Sequence, residues 1–329
     1  MLAKQHVILF ILSFCMGAAG AWAVNTYGHR MALVVRPNER SSHRYATPNG
    51  GGIGILAGFM TGAIVLKLPA TFWIPAAILS AISFAGDRFE ISFLIRLAAQ
   101  FVTSFIFLFG IVGQQTAMLH SHLILILAAI FMVGTANYYN FMDGINGIAG
   151  ITGIVGFGLL AIYAHHNNLS ANLVVLNIVM ALCCLGFLPF NVPRAKVFMG
   201  DVGSILLGFV YAAIVIWCSR SLSDFLCLVS FLFPFYADEI TTEVIRLKDG
   251  EKLWRPHRRH LYQILANECR IAHWKVSTGY GILQLFVGAS VMFCKNSGML
   301  AVFFIIFLYL FIFTVLSKVI RQKAAGGPS

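Results

Sequence analysis

Three aspartates in this sequence stand beside long apolar segments. Asp143 lies within NYYNFMDGINGIAG at residues 137–150, Asp87 within AGDRF and Asp201 within MGDVGS. A carboxylate at the edge of a membrane-length segment is costly unless it serves a partner or a cavity. Proteins hold Mg²⁺ with one or two carboxylates together with substrate phosphates. The three aspartates, together with basic loop residues, therefore predict metal-assisted phosphoryl or phosphosugar transfer.

Three asparagines accompany Asp143. Asn137, Asn140 and Asp143 follow one another at a spacing of three residues, which keeps them within one sector of about 120° on a helix. Asn146 comes next, where adjacent glycines interrupt helical winding. A structural amide network would explain the asparagines alone, but a carboxylate joins them at one interface. The stretch therefore predicts that Asn137, Asn140 and Asn146 bind substrate.

A basic cluster follows Pro256 and consists of His257, Arg258, Arg259 and His260. The two histidines would share one face of a helix, but without a Cys-x-x-Cys pattern they are too few ligands for zinc. Guanidinium groups grip phosphate oxygens bidentately, so the cluster predicts a phosphate clamp. A loop that touches anionic lipid headgroups is the alternative.

Three other features admit a purely structural interpretation. Asp87 is followed by Arg88 and Arg96, so an interfacial ion pair is an equal alternative there. Asp201 could cap its own helix, although a free helix N-terminus also suits phosphate. The glycines at 50–52 permit close backbone approach to a ligand or to a neighbouring helix, and helix packing is the favoured interpretation.

The segments that must position these residues are of membrane length. The chain has 329 residues, of which 59% are hydrophobic and 11% charged, and its mean hydropathy is +0.83. Because soluble domains carry about 25% charged residues, an ordinary soluble globule is excluded. Apolar runs of about 20 residues predict an all-α, polytopic transmembrane helical bundle, with one domain over 1–329. Ten or eleven spans are expected, at residues 6–24, 51–67, 71–86, 94–112, 122–139, 148–165, 171–190, 203–219, 224–245, 276–294 and 297–318.

Loop lysines and arginines predict the orientation. With the N-terminus outside, most of the 23 Lys and Arg residues fall on the cytoplasmic side, as the positive-inside rule expects. The C-terminus is then cytoplasmic, residues 245–276 form a long cytoplasmic substrate-binding loop, and residues 319–329 form a flexible tail. The start of the chain also fits a signal peptide, but the many later spans favour an uncleaved first span. The seven cysteines show no metal-ligand spacing and predict structural thiols.

The formal net charge of +11 therefore lies mostly on one membrane face. Membrane lipids with anionic headgroups account for such a bias. Acidic residues gather on the same face, which instead favours an anionic substrate together with a metal ion. We expect no nucleic acid partner.

Six motifs follow one another over nearly the whole chain: TPNGGGI, GDRFEISFLIRLAAQ, NYYNFMDGINGIAG, VFMGDVGSILLGF, PFYADEITTEVIR and RPHRRHLYQIL. The third and fourth are the most specific. In order and spacing the set resembles the polyprenyl-phosphate N-acetylhexosamine-1-phosphate transferases, glycosyltransferase family 4. The resemblance implies ten or eleven spans in the bacterial inner membrane, with the active site at the cytoplasmic face. It also implies transfer of a sugar 1-phosphate from a UDP-sugar to undecaprenyl phosphate, with release of UMP.

The resemblance assigns roles to particular residues. Asp201 matches the family's metal-binding aspartate, and Asp143 matches an essential aspartate at the nucleotide and diphosphate site. Both are therefore candidate ligands of Mg²⁺, or of Mn²⁺ in its place. Asp87 matches a family aspartate proposed to activate the lipid phosphate, which completes a catalytic set of three. His257 and His260 fall in a loop that contacts substrate, and a homodimer is an open expectation.

The chain also departs from the family pattern. Gly86 replaces the first member of an aspartate pair, Asn146 replaces a second aspartate, and a histidine run is changed to HRRHLY. The altered histidine run argues against the peptidoglycan-precursor and plain N-acetylglucosamine branches. It is closer to O-antigen-type enzymes that handle N-acetylated 6-deoxyhexosamines, such as UDP-N-acetylfucosamine or UDP-N-acetylquinovosamine.

Two other functions compete with the enzyme. A transporter or flippase for an anionic lipid or sugar phosphate would carry polar residues near the middle of several spans and broken helices at a midplane site. Acidic residues confined to one face disfavour it. A structural partner that has lost catalysis is the third reading, because Gly86 and Asn146 depart from the family pattern.

Overall fold

The computed structural model describes residues 4–37, 42, 45–89, 91–112, 122–252 and 257–325. Helices dominate it. A short antiparallel pair, β1 and β2, joins Val34–Val35 to Thr47–Pro48. The helices are α1 Lys4–Tyr27, α2 Ile53–Val65, α3 Ala70–Phe89, α4 Phe93–Val112, α5 His122–Phe141, α6 Ile148–His166, α7 Ala171–Phe187, α8 Asp201–Cys218, α9 Leu222–Ser230, α10 Phe233–Lys248, α11 Leu261–Asn267, α12 His273–Cys294 and α13 Met299–Ala325.

Membrane-length helices confirm the predicted all-α, polytopic fold. Among the described residues, nine helices are long and apolar enough to cross a membrane, and a tenth span results if α9 and α10 count as one. The buried apolar side chains of these helices form one hydrophobic cluster. The structure therefore agrees with the lower of the two expected span numbers.

Two of the predicted spans take a different form. The segment at 51–67 is α2, whose 13 residues reach only about 20 Å, short of a hydrocarbon core of about 30 Å. Hydropathy does not reveal the short length of this helix, because turns, rather than polar residues, end it on both sides. The segment at 224–245 is broken, and α9 and α10 meet at 86°. Pro234 lies in the first turn of α10 and has no amide hydrogen with which to continue a helix.

Helix α8 lies at the centre of the bundle. Its residues from Val202 to Val215 are all buried, with α3 and α5 packed on it. The segment before α8 pairs with the one before α2: the Phe198 N–H donates to the Pro48 carbonyl at 2.8 Å. Gly52 meets Gly203 so closely that a Cβ on Gly52 would lie 2.5 Å from the Gly203 Cα. The glycine run therefore serves backbone packing, as the sequence favoured.

The end of the chain differs from the expected flexible tail. Helix α13 continues to Ala325, and Arg321 donates to the Thr242 hydroxyl at 2.9 Å and to the Arg259 carbonyl at 2.5 Å. Residues 319–325 are therefore helical because a side chain within them is bonded to α10 and to the long loop. That loop contains α11, and its residues 253–256 lie outside the described part, as do residues 38–41, 43–44 and 326–329.

Candidate active site

The N-terminal end of α8 brings the three predicted aspartates together. Asp201 is the first residue of α8, Asp87 lies near the end of α3, and Asp143 lies in the turn between α5 and α6. The Asp201 backbone N–H donates to Asp87 Oδ2 at 3.1 Å. Burial raises the pKa of Asp143 well above its usual range, and the charges of Asp201 and Asp87 raise it further. Three carboxylates from three separate segments thus lie near one another, with Asp87 exposed and Asp143 and Asp201 partly buried.

The side chain of Asp201 is held by two neighbouring helices. Asn140 of α5 donates to Asp201 Oδ1 at 2.7 Å, and Arg96 of α4 lies 3.3 Å from Oδ2 as an ion pair. Gly200, not Asp201, occupies the N-cap position of α8, and it makes no side-chain cap bond. Asp87 instead accepts from one of the free amides at that helix end. Asp201 is therefore directed sideways, toward Asn140 and Arg96.

A cavity of about 280 Å³ opens beside these carboxylates. Asp143 and Asp201 line it, and amide, imidazole and hydroxyl groups complete its polar wall. The polar side chains of that wall are Ser42, Asn49, Asn140, Asn146, Asn191, Gln263 and His273. A pocket with this composition suits a polar, hydroxyl-rich ligand near a negatively charged centre.

The structure divides the three predicted asparagines. Asn140 and Asn146 line the cavity, and the Asn146 backbone N–H donates to His273 Nδ1 at 3.3 Å. Asn137 instead pairs with Gln100: the Asn137 amide donates to Gln100 Oε1 at 2.7 Å, and the Gln100 amide donates to Asn137 Oδ1 at 3.2 Å. Asn137 lines a smaller cavity, about 70 Å³, on the Arg96 side of Asp201. The structural interpretation therefore fits Asn137, and the substrate-binding interpretation fits the other two.

The structure places the basic cluster away from this cavity. Arg259 forms ion pairs with Asp249, at 2.6 Å, and with Glu251. The rings of His257 and His260 lie 4.7 Å apart. Burial, followed by the charge of His260, lowers the pKa of His257 to about 4. The guanidinium of Arg259 is thus neutralised by its own loop, and His257 is uncharged near neutral pH.

Arg258 and His260, like Arg259 and His257, do not line the cavity. His260 is 3% exposed, and its Nε2 lies 3.7 Å from a carboxylate oxygen of Glu239. The next helix, α11, does reach the cavity, through Gln263. Among the described residues of the loop, Gln263 of α11 therefore lines the cavity, and phosphate binding by the four basic residues stays a prediction.

Several cavity residues had not been predicted. Asn191 is buried, accepts from the Gly147 N–H at 2.5 Å and donates to the Val197 carbonyl at 2.9 Å. It stands in the same loop as Asp201, which is its one sequence signal. Asn49 follows the proline of the glycine-rich motif, whereas His273 carries no signal beyond its place at a span end. Their role depends on pairings between distant segments.

The residues present can be tested against a metal ion. Among the side chains described, no group of three or more His, Cys, Asp or Glu could hold a metal by itself. Mg²⁺ does not need such a group, because phosphate oxygens and water supply most of its ligands. Asp143 and Asp201 both line the cavity, and their crowded negative charge is a destabilising feature that a cation would relieve. The site therefore fits a cation that binds together with a phosphorylated substrate.

Comparisons with known proteins agree with the motifs. Residues 70–219 match the family described as glycosyl transferase family 4. The chain is 26% identical over 294 residues to an undecaprenyl-phosphate alpha-N-acetylglucosaminyl 1-phosphate transferase of Thermotoga maritima, which covers 89% of this chain and 90% of that protein. It is 27% identical to a decaprenyl-phosphate N-acetylglucosaminephosphotransferase of Mycobacterium leprae, over 78% of this chain and 74% of that protein. A phospho-N-acetylmuramoyl-pentapeptide-transferase of Staphylococcus saprophyticus is 33% identical over 170 residues, which is 50% of this chain and 52% of that protein.

Proposed function

We propose that the chain transfers an N-acetylhexosamine 1-phosphate from a UDP-sugar to undecaprenyl phosphate and releases UMP. The match of residues 70–219 to glycosyl transferase family 4 supports this reaction class. The observation that carries this proposal is the approach of three aspartates from separate segments: Asp143 and Asp201 line one cavity, and Asp87 accepts from the Asp201 backbone N–H. Two relatives are named as N-acetylglucosamine phosphate transferases that use undecaprenyl or decaprenyl phosphate, which supports the same reaction class.

The proposed reaction is a displacement at phosphorus. An oxygen of the acceptor phosphate forms a bond to the β-phosphorus of the donor. The bond between that phosphorus and the bridging oxygen breaks, and UMP leaves with the electron pair. The second pKa of a phosphate monoester is about 6, so the acceptor is largely dianionic at pH 7 and needs little help from a base. Alignment and charge neutralisation are therefore the main tasks of the protein.

The residues of the cavity divide these tasks. Asp201 and Asp143 would hold Mg²⁺, which supplies neutralisation of the diphosphate charge. Asn140 orients the Asp201 carboxylate through its bond of 2.7 Å. Asp87 fixes the start of α8 through the Asp201 N–H, and it orients the acceptor phosphate beside that helix end. The neutral amide of Asn146 binds hydroxyl and amide groups of the donor, and Asn191 holds the turn beside it through the Gly147 N–H.

A second cavity supports a lipid acceptor. It measures about 410 Å³ and lies between α5, α9, α10 and α13. Apolar side chains such as Phe131, Phe225 and Ile306 line it, and Tyr138 stands at its wall. Asn137, next to Tyr138 in the chain, lines the small cavity beside Asp201. We therefore assign the prenyl chain of the acceptor to the apolar cavity.

The orientation and the pathway are part of the proposal. The positive-inside bias supports a site at the cytoplasmic face of a bacterial inner membrane, with the N-terminus outside. A cysteine in place of Lys67 should then react with an impermeant reagent on intact cells, and one in place of Lys323 only after lysis. The product would initiate lipid-linked glycan synthesis of the O-antigen type.

The direct test is UMP release by the purified protein with undecaprenyl phosphate and Mg²⁺. The donors to compare are UDP-N-acetylglucosamine, UDP-N-acetylfucosamine and UDP-N-acetylquinovosamine. We expect release that depends on the lipid and on one donor, with the 6-deoxy donors favoured by the altered histidine run. No release with any donor from folded protein would contradict the enzyme proposal, and lipid-dependent uptake without UMP release would favour a transporter.

A further inference from the structure

A buried carboxylate holds the start of α11. Asp238 of α10 is 0% exposed, and its Oδ1 accepts from the Leu261 N–H at 2.7 Å while its Oδ2 accepts from the Tyr262 N–H at 3.1 Å. The Tyr280 hydroxyl of α12 donates to Oδ2 at 2.7 Å, and the Thr242 hydroxyl donates to Oδ1 at 3.1 Å. A charged acceptor thus satisfies the first free amides of a short helix. Asp238 therefore fixes α11 between α10 and α12.

Tyr262, the second residue of α11, contacts the turn that contains Asp143. Its side chain is 0% exposed, and its hydroxyl donates to the Phe141 carbonyl at 2.9 Å, at the end of α5. On the other side of Asp143, a Cβ on Gly144 would overlap the same hydroxyl and lie 3.0 Å from the ring carbon Cζ. The tyrosine therefore contacts the backbone both before and after the aspartate.

The turn needs such a restraint because the charges in the site repel one another. Asp143 lies near Asp201 and Asp87, and neighbouring carboxylates disfavour one another when they are ionised. A turn without external support would relax by moving Asp143 outward, toward water. The hydroxyl of Tyr262 opposes that motion by holding the last carbonyl before the turn.

We propose that Tyr262 is a positioning residue for the transfer reaction, with Asp238 as its anchor. Tyr262 does not line the cavity and acts through the backbone on either side of Asp143. The inference rests on the proposed function for its kinetic consequence, and it gives the long loop a role through α11. A displacement of about 1 Å in a reacting group can cost on the order of 100-fold in rate.

Tyr262→Phe tests the proposal, with Tyr211→Phe as the matched control. Both tyrosines are fully buried and donate to a backbone carbonyl, but Tyr211 donates to Leu228 at 2.5 Å, near the far end of α8. Tyr262→Phe should lower kcat by about 10- to 100-fold and leave KM for the donor within about threefold. Hydrogen exchange in residues 141–147 should rise. Tyr211→Phe should lower Tm comparably and change neither kcat nor that exchange.

A second variant tests the contact itself. Gly144→Ala places a methyl group against the Tyr262 hydroxyl, so it should lower kcat in the parent protein. In the Tyr262→Phe background the hydroxyl is gone, and the same substitution should cost at least about threefold less, because contacting residues are not additive. Equal costs in the two backgrounds would overturn the proposal.

Two other results would also overturn it. One is a Tyr262→Phe protein whose kcat and exchange in residues 141–147 match the parent. The other is an equal loss of kcat in Tyr211→Phe, which would show a general effect of destabilisation. If the parent protein turns over no donor at all, the proposed function fails. The exchange measurement then decides the positioning claim by itself.

Discussion

The two ends of α8 treat carboxylates in opposite ways. Beyond its C-terminal end, Asp224 accepts from the Tyr163 hydroxyl at 2.5 Å and the Ser221 hydroxyl at 2.9 Å, and it pairs with Lys295 at 2.5 Å. The backbone N–H of Arg220 adds a bond at 3.2 Å. One acid there has four donors. At the N-terminal end, about 27 Å away along the helix axis, Asp143 and Asp201 line one cavity and Asp87 is bonded to the Asp201 N–H.

The difference separates a structural carboxylate from a functional one. A carboxylate with all its lone pairs bonded stabilises the fold and has nothing left with which to bind a ligand. Crowded carboxylates are destabilising until a cation arrives, and such arrangements mark functional sites. The raised pKa of Asp143 is a sign of such crowding. The comparison therefore predicts opposite responses of the two ends to the same chemical change.

The largest effect should come from Asp201→Asn. An amide keeps the shape of the side chain but removes the charge that would hold Mg²⁺, so UMP release should fall by at least about 1000-fold. The change relieves the repulsion by the neighbouring carboxylates but leaves Arg96 without its carboxylate, so Tm should change less than in Asp224→Asn. Lipid-dependent UMP release and thermal unfolding in detergent would be measured on the same sample. Substantial retained turnover would remove Asp201 from the metal site.

Stabilisation of the protein by ligand should depend on the acids at the N-terminal end of α8 and not on Asp224. UDP with Mg²⁺ at about 100 times the dissociation constant should add about 2.7 kcal/mol to the stability of the parent protein. Mg²⁺ alone should add much less, because no group of three ligating side chains was found in the described residues. Asp201→Asn should lose most of the increment and Asp224→Asn should keep it. An equal rise in Tm in both variants would show that UDP binds elsewhere.

The reverse pattern is expected of Asp224→Asn. The change leaves Lys295, which is 17% exposed in its side chain, without its carboxylate. Leaving a partly buried charged group unpaired costs about 1–3 kcal/mol, so Tm should fall while turnover stays at the level of the parent. Replacing Lys295 by Met in the same protein should recover part of the loss, since no unpaired charge then remains. Lost turnover at an unchanged Tm would contradict the structural role.

The sequence predicts which aspartates are functional candidates, but it does not predict that they lie close together. Asp143 and Asp201 stand out because a carboxylate beside a membrane span has few structural uses. Their convergence is another matter, because it depends on the backbone pairing of Phe198 with Pro48, which lie 150 residues apart in the chain. No local pattern encodes such a pairing. The residue types were therefore predictable, and their shared cavity was not.

The other differences have equally specific causes. Asn137 was assigned to the substrate because its spacing matched Asn140, but its amide is satisfied by Gln100, which is 37 residues away. Arg259 was assigned to phosphate although two acids of its own loop lie close enough to neutralise it. Helix α2 was counted as a span because hydropathy reports composition and not length. In each case a contact or a turn that no residue type encodes sets the local structure, and substrate binding by Asn137 and Arg259 stays a prediction.

The smallest effect concerns His257, whose charge state links the long loop to pH. Its pKa is lowered from 6.5 to about 4, with burial as the main cause. Below pH 6.5 the unfolded chain binds a proton that the folded protein does not, so stability falls as the pH drops from 6.5 toward 4. The raised pKa of Asp143 acts in the opposite direction, so the two effects must be separated. His257→Gln should lose less Tm than the parent between pH 7 and pH 5, and an identical loss would mean that His257 is exposed to solvent in the folded protein.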